Sequence, residues 1–265
     1  KPHLDELETG QLPPYDIIRK LFADFGLAAM ASDALEKLLA SQRRKEERAA
    51  DNAAASDSEA RDKSGAPGLE GAESMSAILI SELAGVSLGT VASLGVSLGL
   101  GVGTIAGKGT LAQKERWLPK LVTFEQVAAW AITEPDSGSD AFGGMKTTVR
   151  RDGDGYVRNG QKTFITNGPH ADVIVVYAKL DEGDDTPPRD RKVLTFVLDK
   201  GMPGLTQSKA FRKMGMMSSP TGELFFEDVH LEADRLLGEN ENHEQGDGRA
   251  SARSNFVAER VGVAV

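Results

Sequence analysis

The chain of 265 residues contains no cysteine. That excludes disulfides, iron–sulfur clusters, thiolate zinc sites and a thiol nucleophile. It suits a cytoplasmic or mitochondrial-matrix location, where thiol pairing is not available. Histidine is scarce as well: His3, His170, His230 and His243 are the four present. None stands at a metal-ligand spacing from another, so no metal site is expected. Positive charge is in deficit, with 31 Lys and Arg against 40 Asp and Glu and a formal net charge of -9. That argues against nucleic acid, which demands a basic face. A small phosphate-bearing ligand needs only a few local donors and is not disfavoured. The chain starts at Lys1 without a signal-peptide pattern and stops inside the apolar run Val261–Val265. That pattern is expected of a fragment interrupted partway through a helix.

Charge is missing altogether between Leu83 and Gly107. An uncharged run of this length raises the question of a membrane span. Seven of its residues are Gly and five are Ser or Thr, which lowers its hydrophobicity. Gly85, Gly89, Ser93, Ser97 and Gly101 recur every four residues, a small-residue stripe on a helix that lets another element approach closely. A buried helix pair, not a membrane span, is the expected structure. Gly99-Leu100-Gly101-Val102-Gly103 has the glycine spacing of a dinucleotide fingerprint. That motif requires a strand before the glycines, and a Ser-rich helical segment stands there instead.

The first third of the chain is helical by pattern. Ile17, Ile18, Leu21, Phe22 and Phe25 share a face after Pro13-Pro14. A second helix is expected from about Ser32 through Leu35, Leu38 and Leu39 into Arg43–Arg48. From Asp51 to Glu73 the chain is rich in Ala, Ser, Asp and Gly, buries little, and is expected to be a mobile, dispensable insertion. Trp117-Leu118-Pro119 closes the helical part. Strands are then expected at 127–133, 146–151, 156–165, 173–178, 193–198 and 223–231, with a hairpin turn at Asp152-Gly153-Asp154-Gly155. That density of strands means a barrel or sandwich. A new helix is expected from about Ala252.

Two segments carry a resemblance. Trp130-Ala131-Ile132-Thr133-Glu134-Pro135-Asp136-Ser137-Gly138-Ser139-Asp140 is the first, and Asn159-Gly160-Gln161-Lys162-Thr163-Phe164-Ile165-Thr166-Asn167-Gly168 the second. Lys213-Met214-Gly215 and Phe226-Glu227-Asp228-Val229 follow in order. Together they resemble the signatures of the acyl-CoA dehydrogenase family over about Glu70 to Val265; the 51–73 insertion departs from its pattern. Read by themselves, the Thr133, Ser137 and Ser139 hydroxyls and the loop N–H groups suit an anionic or carbonyl-rich ligand. The plain alternatives are a self-satisfied turn for the loop and a core aromatic for Phe164.

The resemblance implies an α+β fold: an N-terminal helical domain (1–125), a middle β-barrel or sandwich binding FAD and acyl-CoA (126–238), and a linker with the start of a C-terminal helical bundle (239–265). It implies that Trp130, Ile132, Thr133, Phe164, Ile165 and Thr166 meet the flavin of FAD. Phe164 stands for the family's Trp, keeping an aromatic face and losing the indole N–H. Ser139 would meet the FAD diphosphate or the pantetheine, and Arg260 the CoA chain. Glu259 matches one position at which the family carries its catalytic base; the bland alternative is a solvated helix charge. The implied reaction is α,β-dehydrogenation of an acyl-CoA thioester. An electron-transfer flavoprotein would be the electron acceptor and a homodimer or homotetramer the assembly. Rival readings are an acyl-CoA oxidase on the same scaffold, a non-catalytic flavin- or CoA-binding subunit, and a bare barrel module.

Overall fold

The computed structural model describes residues 3–53 and 78–241, with no account of side chains for 49–53. The 51–73 insertion, apart from the first three residues that continue a helix, lies outside the described residues, as does the segment from Ala252.

Helices come first. α1 is Leu4–Glu8, α2 Tyr15–Asp24 and α3 Leu27–Ala53. α2 starts straight after Pro14 and buries Tyr15, Ile18 and Phe22; of the expected face, Ile17 and Leu21 are half-buried and Phe25, just past the helix end, is exposed. α3 begins about five residues before the expected Ser32, because Leu27-Ala28-Ala29 continues the helix without a breaker. α4 covers 78–84. α5 is Leu88–Gly95, capped by the Ser87 side chain. A π-helical stretch, Val96–Val102, follows, then α6, Gly103–Lys108, and α7, Leu111–Val122. α7 opens with a reciprocal capping box between Thr110 and Gln113. It runs three residues past Pro119, since Trp117, Leu118 and Leu121 are all buried.

The uncharged run is long and apolar enough to cross a membrane by length and composition. Its Ser87, Ser93 and Ser97 hydroxyls, however, are bonded to residues outside it. The Ser97 hydroxyl accepts from the Ala128 N–H at 2.9 Å, and the Ser93 hydroxyl donates to the Ser218 carbonyl at 3.3 Å. A Cβ on Gly101 would sit 2.5 Å from that of Ala128, and one on Gly89 would sit 2.2 Å from the Ser218 hydroxyl. From Gly89 to Gly101 the small-residue stripe is therefore a packing face against Ala128 and Ser218; Gly85 lies in an exposed turn outside it. A pure α-helix of about 3.6 residues per turn drifts against a spacing of four. The wider π turn brings Ser93, Ser97 and Gly101 back into line. The glycine triplet lies in this helix with no strand before it, so it is no dinucleotide turn.

The strands are β1 (Ala128–Ala131), β2 (Thr148–Asp152), β3 (Gly155–Thr166), β4 (Val173–Leu180), β5 (Val193–Asp199), β6 (Leu205–Gln207) and β7 (Thr221–Leu231). They form one curled sheet in the order β1-β4-β2-β3-β7-β6, with β5 on the other side of β4. β6 is short and without strong alternation, and the sequence pattern missed it. β4 is buried along its whole length. Its alternate residues serve two cores. Val173, Val175 and Tyr177 pack with Trp117, Leu118 and Leu121 of the helical layer. Ile174, Val176 and Ala178 pack with Phe196, Leu224 and Phe226 inside the curl. A strand covered on both faces shows a continuous apolar run rather than alternation, as Val173–Ala178 does.

Candidate functional site

β3 is the spine of the site, and its irregularities decide what it presents. Opposite β7 it carries two breaks in register, between Arg158 and Gly160 and between Lys162 and Ile165. At the first, β7 has the extra residue. Asp228 takes φ 46° and is clasped by Asn159, whose amide donates to its carboxylate at 2.9 Å and whose carbonyl oxygen accepts its N–H at 2.9 Å. Gly160 there has φ 142°, and a Cβ would press to 2.6 Å on the Thr147 hydroxyl. The Asn159-Gly160 pair of the second motif is thus explained by the fold.

At the second break the extra residue lies on β3. Phe164 adopts the left-handed region at φ 56° and is 69% exposed. Its neighbours Thr163 and Ile165 are buried. The bulge turns this one ring outward, where its only ring contact among the described residues is Phe211 at 5.6 Å. The core-aromatic alternative for Phe164 fails. A non-glycine residue held in that region costs on the order of 1–3 kcal/mol, a strain that concentrates at working sites.

Beside the bulge runs the loop of the first motif. β1 pairing ends at Ala131. Beyond it, the Thr163 N–H donates to the Thr133 carbonyl at 2.9 Å, joining loop to strand. Thr133 and Thr166 are half-buried, and neither hydroxyl has a hydrogen-bond partner among the described residues. Ser139 is exposed and likewise unengaged. Ser137 differs: its hydroxyl donates to the Asp140 carbonyl at 2.6 Å, so it holds the turn together and is not free for a ligand. Ile132 and Ile165 are buried behind this surface. Trp130 is 7% exposed and turned into the helix-side core, its indole N–H donating to the Tyr177 hydroxyl at 3.2 Å. Glu259 and Arg260 lie outside the described residues.

Sequence reasoning passed over the buried polar groups beneath. Lys162 and Glu134, both almost wholly inaccessible, are paired at 2.7 Å. Lys162 also donates to the Ile132 carbonyl at 3.1 Å. Glu134 accepts the N–H groups of Lys146 at 2.6 Å and Thr147 at 3.1 Å. Burial works against the Glu134 charge, but Lys162 and these donors together hold its carboxyl below the usual range. Burial pulls the Lys162 ammonium down to about 7 against the opposing pull of Glu134. Asn167, at the end of the second motif, is also buried. It donates to the carbonyls of Ser93 at 2.9 Å and Ala128 at 3.0 Å, and accepts from the Tyr15 hydroxyl at 3.1 Å. One amide therefore fastens α2, α5 and β1 to β3. The signal for both was available: a Lys and an Asn inside a strand pattern need buried partners.

A separate cleft of about 470 Å³ lies at the opposite end of β3 and is lined by Asp152, Asp154, His230, Glu232 and Arg235 among others. Three carboxylates make it a poor berth for an anionic ligand, and no residue of the first motif reaches it. No group of side chains suited to a metal ion is present among the described residues.

A helical layer packed on a curled sheet makes this an α+β scaffold, with an aromatic bulge between hydroxyls that have no partner among the described residues, and comparison with known proteins gives the family. The family model for the acyl-CoA dehydrogenase middle domain matches residues 129–229, and that for the N-terminal domain matches residues 59–125. The chain belongs to the acyl-CoA dehydrogenase family. It is 46% identical over 126 residues to the mitochondrial isovaleryl-CoA dehydrogenase of Pongo abelii, covering 48% of this chain and 29% of that protein. The solved butyryl-CoA dehydrogenase of Megasphaera elsdenii superposes with a TM-score of 0.63 at 36% identity, over 71% of this chain and 47% of that one. A glutaryl-CoA dehydrogenase of Mycobacterium smegmatis, solved in complex with FADH2, superposes with a TM-score of 0.59 at 31% identity, over 68% of this chain and 43% of that one. The chain thus spans less than half the length of each of these relatives, which come from both mitochondria and bacteria.

Proposed function

We propose that the rim formed by Thr133, Ser139, Phe164 and Thr166 holds FAD, and that the whole protein dehydrogenates an acyl-CoA thioester between its α and β carbons. One observation carries this reading. Two hydroxyls without a partner among the described residues flank an aromatic ring that the chain turns outward against backbone strain. A flat heteroaromatic ring with acceptor atoms at its edge fits both features. Phe164 covers one face of the ring, while Thr133 and Thr166 hydrogen-bond its edge. Ile132 and Ile165 close the floor behind it, and Ser139 reaches the diphosphate or the pantetheine. Bound there, FAD supplies the oxidant that takes the β hydride.

The α proton needs a carboxylate close to the substrate, and Glu259 is the group we assign to it. Its proton affinity rises when the thioester displaces water, since desolvation disfavours the charged form. Arg260, adjacent in sequence, would not share a helix face with Glu259, and we assign it to the CoA chain. An electron-transfer flavoprotein would reoxidise the flavin, and a homodimer or homotetramer is the proposed assembly.

The test uses the full-length protein. Purified material should show flavin absorbance, and anaerobic addition of acyl-CoA esters should bleach it with at least one ester. Glu259→Gln should keep FAD and lose turnover by roughly 10²-fold or more. A colourless protein that does not take up added FAD would overturn the cofactor assignment. Near-normal turnover in Glu259→Gln would overturn the base assignment alone. Bleaching reversed by dioxygen at the rate of turnover would mark an oxidase instead.

A further inference from the structure

We propose that Glu134 and Lys162 are positioning residues that set the distance between the Thr133 loop and the Phe164 bulge, and so set the shape of the flavin site without touching the flavin. The inference rests on the FAD reading above and deepens it.

The loop needs such a device because the sheet does not supply one. The β1–β4 ladder stops at Ala131, just before the residues that form the rim. The next three residues are each fixed by something else. The Ile132 carbonyl accepts from the Lys162 ammonium at 3.1 Å. The Thr133 carbonyl accepts from the Thr163 N–H at 2.9 Å. The Glu134 carboxylate accepts from Lys162 at 2.7 Å and from the N–H groups of Lys146 and Thr147, which lead into β2. Lys162 and Thr163 are consecutive on β3, and the residue after them is Phe164. The loop and the bulge are thus joined through one buried ammonium and one backbone bond.

The chemistry suits the task. A lysine offers a compact charge with several donors, so it can hold a carbonyl and a carboxylate at once. With side chains 0% and 4% exposed, the pair is shielded from competing water. Hydrogen bonds to a carboxylate are shorter and stronger than neutral ones, which favours a single loop position over several. Apolar residues of similar size could fill the same volume but would leave the Ile132 carbonyl and two N–H groups without partners. The loop would then settle elsewhere, and Thr133 would move relative to Phe164.

The test compares wild type, Lys162→Met and Glu134→Gln in the full-length protein. Four quantities are measured: far-UV circular dichroism of the apoprotein, the FAD dissociation constant, the flavin absorption spectrum and the flavin midpoint potential. Folded Lys162→Met should bind FAD about 10-fold or more weakly, the scale on which sub-ångström misplacement of binding groups acts. Its residual bound flavin should show a shifted spectrum and potential, which loss of fold stability alone would not produce. Glu134→Gln keeps an acceptor for the Lys146 and Thr147 N–H groups and should lose several-fold in affinity in the same direction. If Lys162→Met does not fold, Glu134→Gln decides by the same criteria. Folded variants with wild-type affinity and an unchanged spectrum would overturn the proposal and leave the FAD reading intact. A wild-type protein that binds no FAD would overturn both.

Discussion

The two ends of β3 put the same kind of side chain into the same interior and treat it differently. Near the motif end, Lys162 is fully buried and meets a carboxylate and a carbonyl. Near the hairpin end, Arg158 is equally buried. It has one long bond to the Tyr177 carbonyl at 3.5 Å and a stacking contact 3.8 Å above the Phe226 ring. Among the described residues its Nε and Nη1 have no hydrogen-bond partner. Burial lowers its pKa to about 9, leaving it charged at neutral pH. The bulges differ in parallel: the hairpin end closes its bulge with an Asn159–Asp228 clasp, whereas the motif end leaves Phe164 strained and outward. Charge satisfaction is complete where the strand serves the candidate site and incomplete where it does not.

Removing the satisfied cation should have the largest effect. At pH 6, where Lys162 and Glu134 are both charged, Lys162→Met strands a buried carboxylate. The loss of unfolding free energy should be about 3–5 kcal/mol, read by urea denaturation. Arg158→Met should behave in the opposite way. It removes a charge with unmet donors and fills the space above Phe226 with an apolar chain. Stability should stay level or rise by about 1–4 kcal/mol. A loss of similar size in both variants would erase the contrast between the two ends.

The pH dependence sharpens it further. Burial sets the folded-state value of Lys162 near 7, against 10.5 for an ordinary lysine. Between those values the unfolded chain binds the extra proton, so stability rises with pH across the window and falls as pH drops towards 7. The slope from this one group is at most about 1.4 kcal/mol per pH unit. Denaturation midpoints from pH 7 to 9 should therefore climb in wild type more steeply than in Lys162→Met. Parallel curves would show that Lys162 does not titrate there.

Much of this architecture was legible in the sequence because its signals are local. The Val173–Ala178 run, the Asp152–Gly155 turn and the Gly/Ser stripe each state their structure within a few residues. β6 was not legible, being three residues paired only with β7. The start of α3 was misread because Leu27–Ala31 has high helix propensity but no charged or capping residue to mark it. The site was half legible. The two motifs flagged its residues, but their roles depend on partners far along the chain. Trp130 is turned inward because its indole meets Tyr177, 47 positions on. Ser137 is engaged within its own turn, where the sequence showed three interchangeable hydroxyls. A Lys and an Asn inside a strand pattern signal that partners are needed, but the partners of Lys162 and Asn167 lie 28 to 152 positions away and no local pattern names them.

The smallest expected change in stability belongs to the outward side of the bulge. Phe164→Gly relieves a left-handed φ that costs a side-chain-bearing residue on the order of 1–3 kcal/mol. Against that stand the greater backbone freedom of Gly in the unfolded chain, roughly 0.5–1 kcal/mol, and loss of the ring contact with Phe211, worth about 0.5–1.5 kcal/mol for an aromatic pair. The ring is mostly in solvent, so little buried area is lost with it. These terms nearly cancel, and the apoprotein should melt within a few degrees of wild type. FAD affinity should respond differently if the ring is the face on which the flavin rests. Removing an aromatic stacking surface should weaken binding about 10-fold or more, which Phe164→Tyr should largely restore. Strain kept where it adds nothing to stability is what a working site would retain. Equal FAD affinity in Phe164→Gly and wild type would leave the strain at this bulge without a use, and the bulge would then be no different in kind from the Asn159–Asp228 clasp at the other end of the strand.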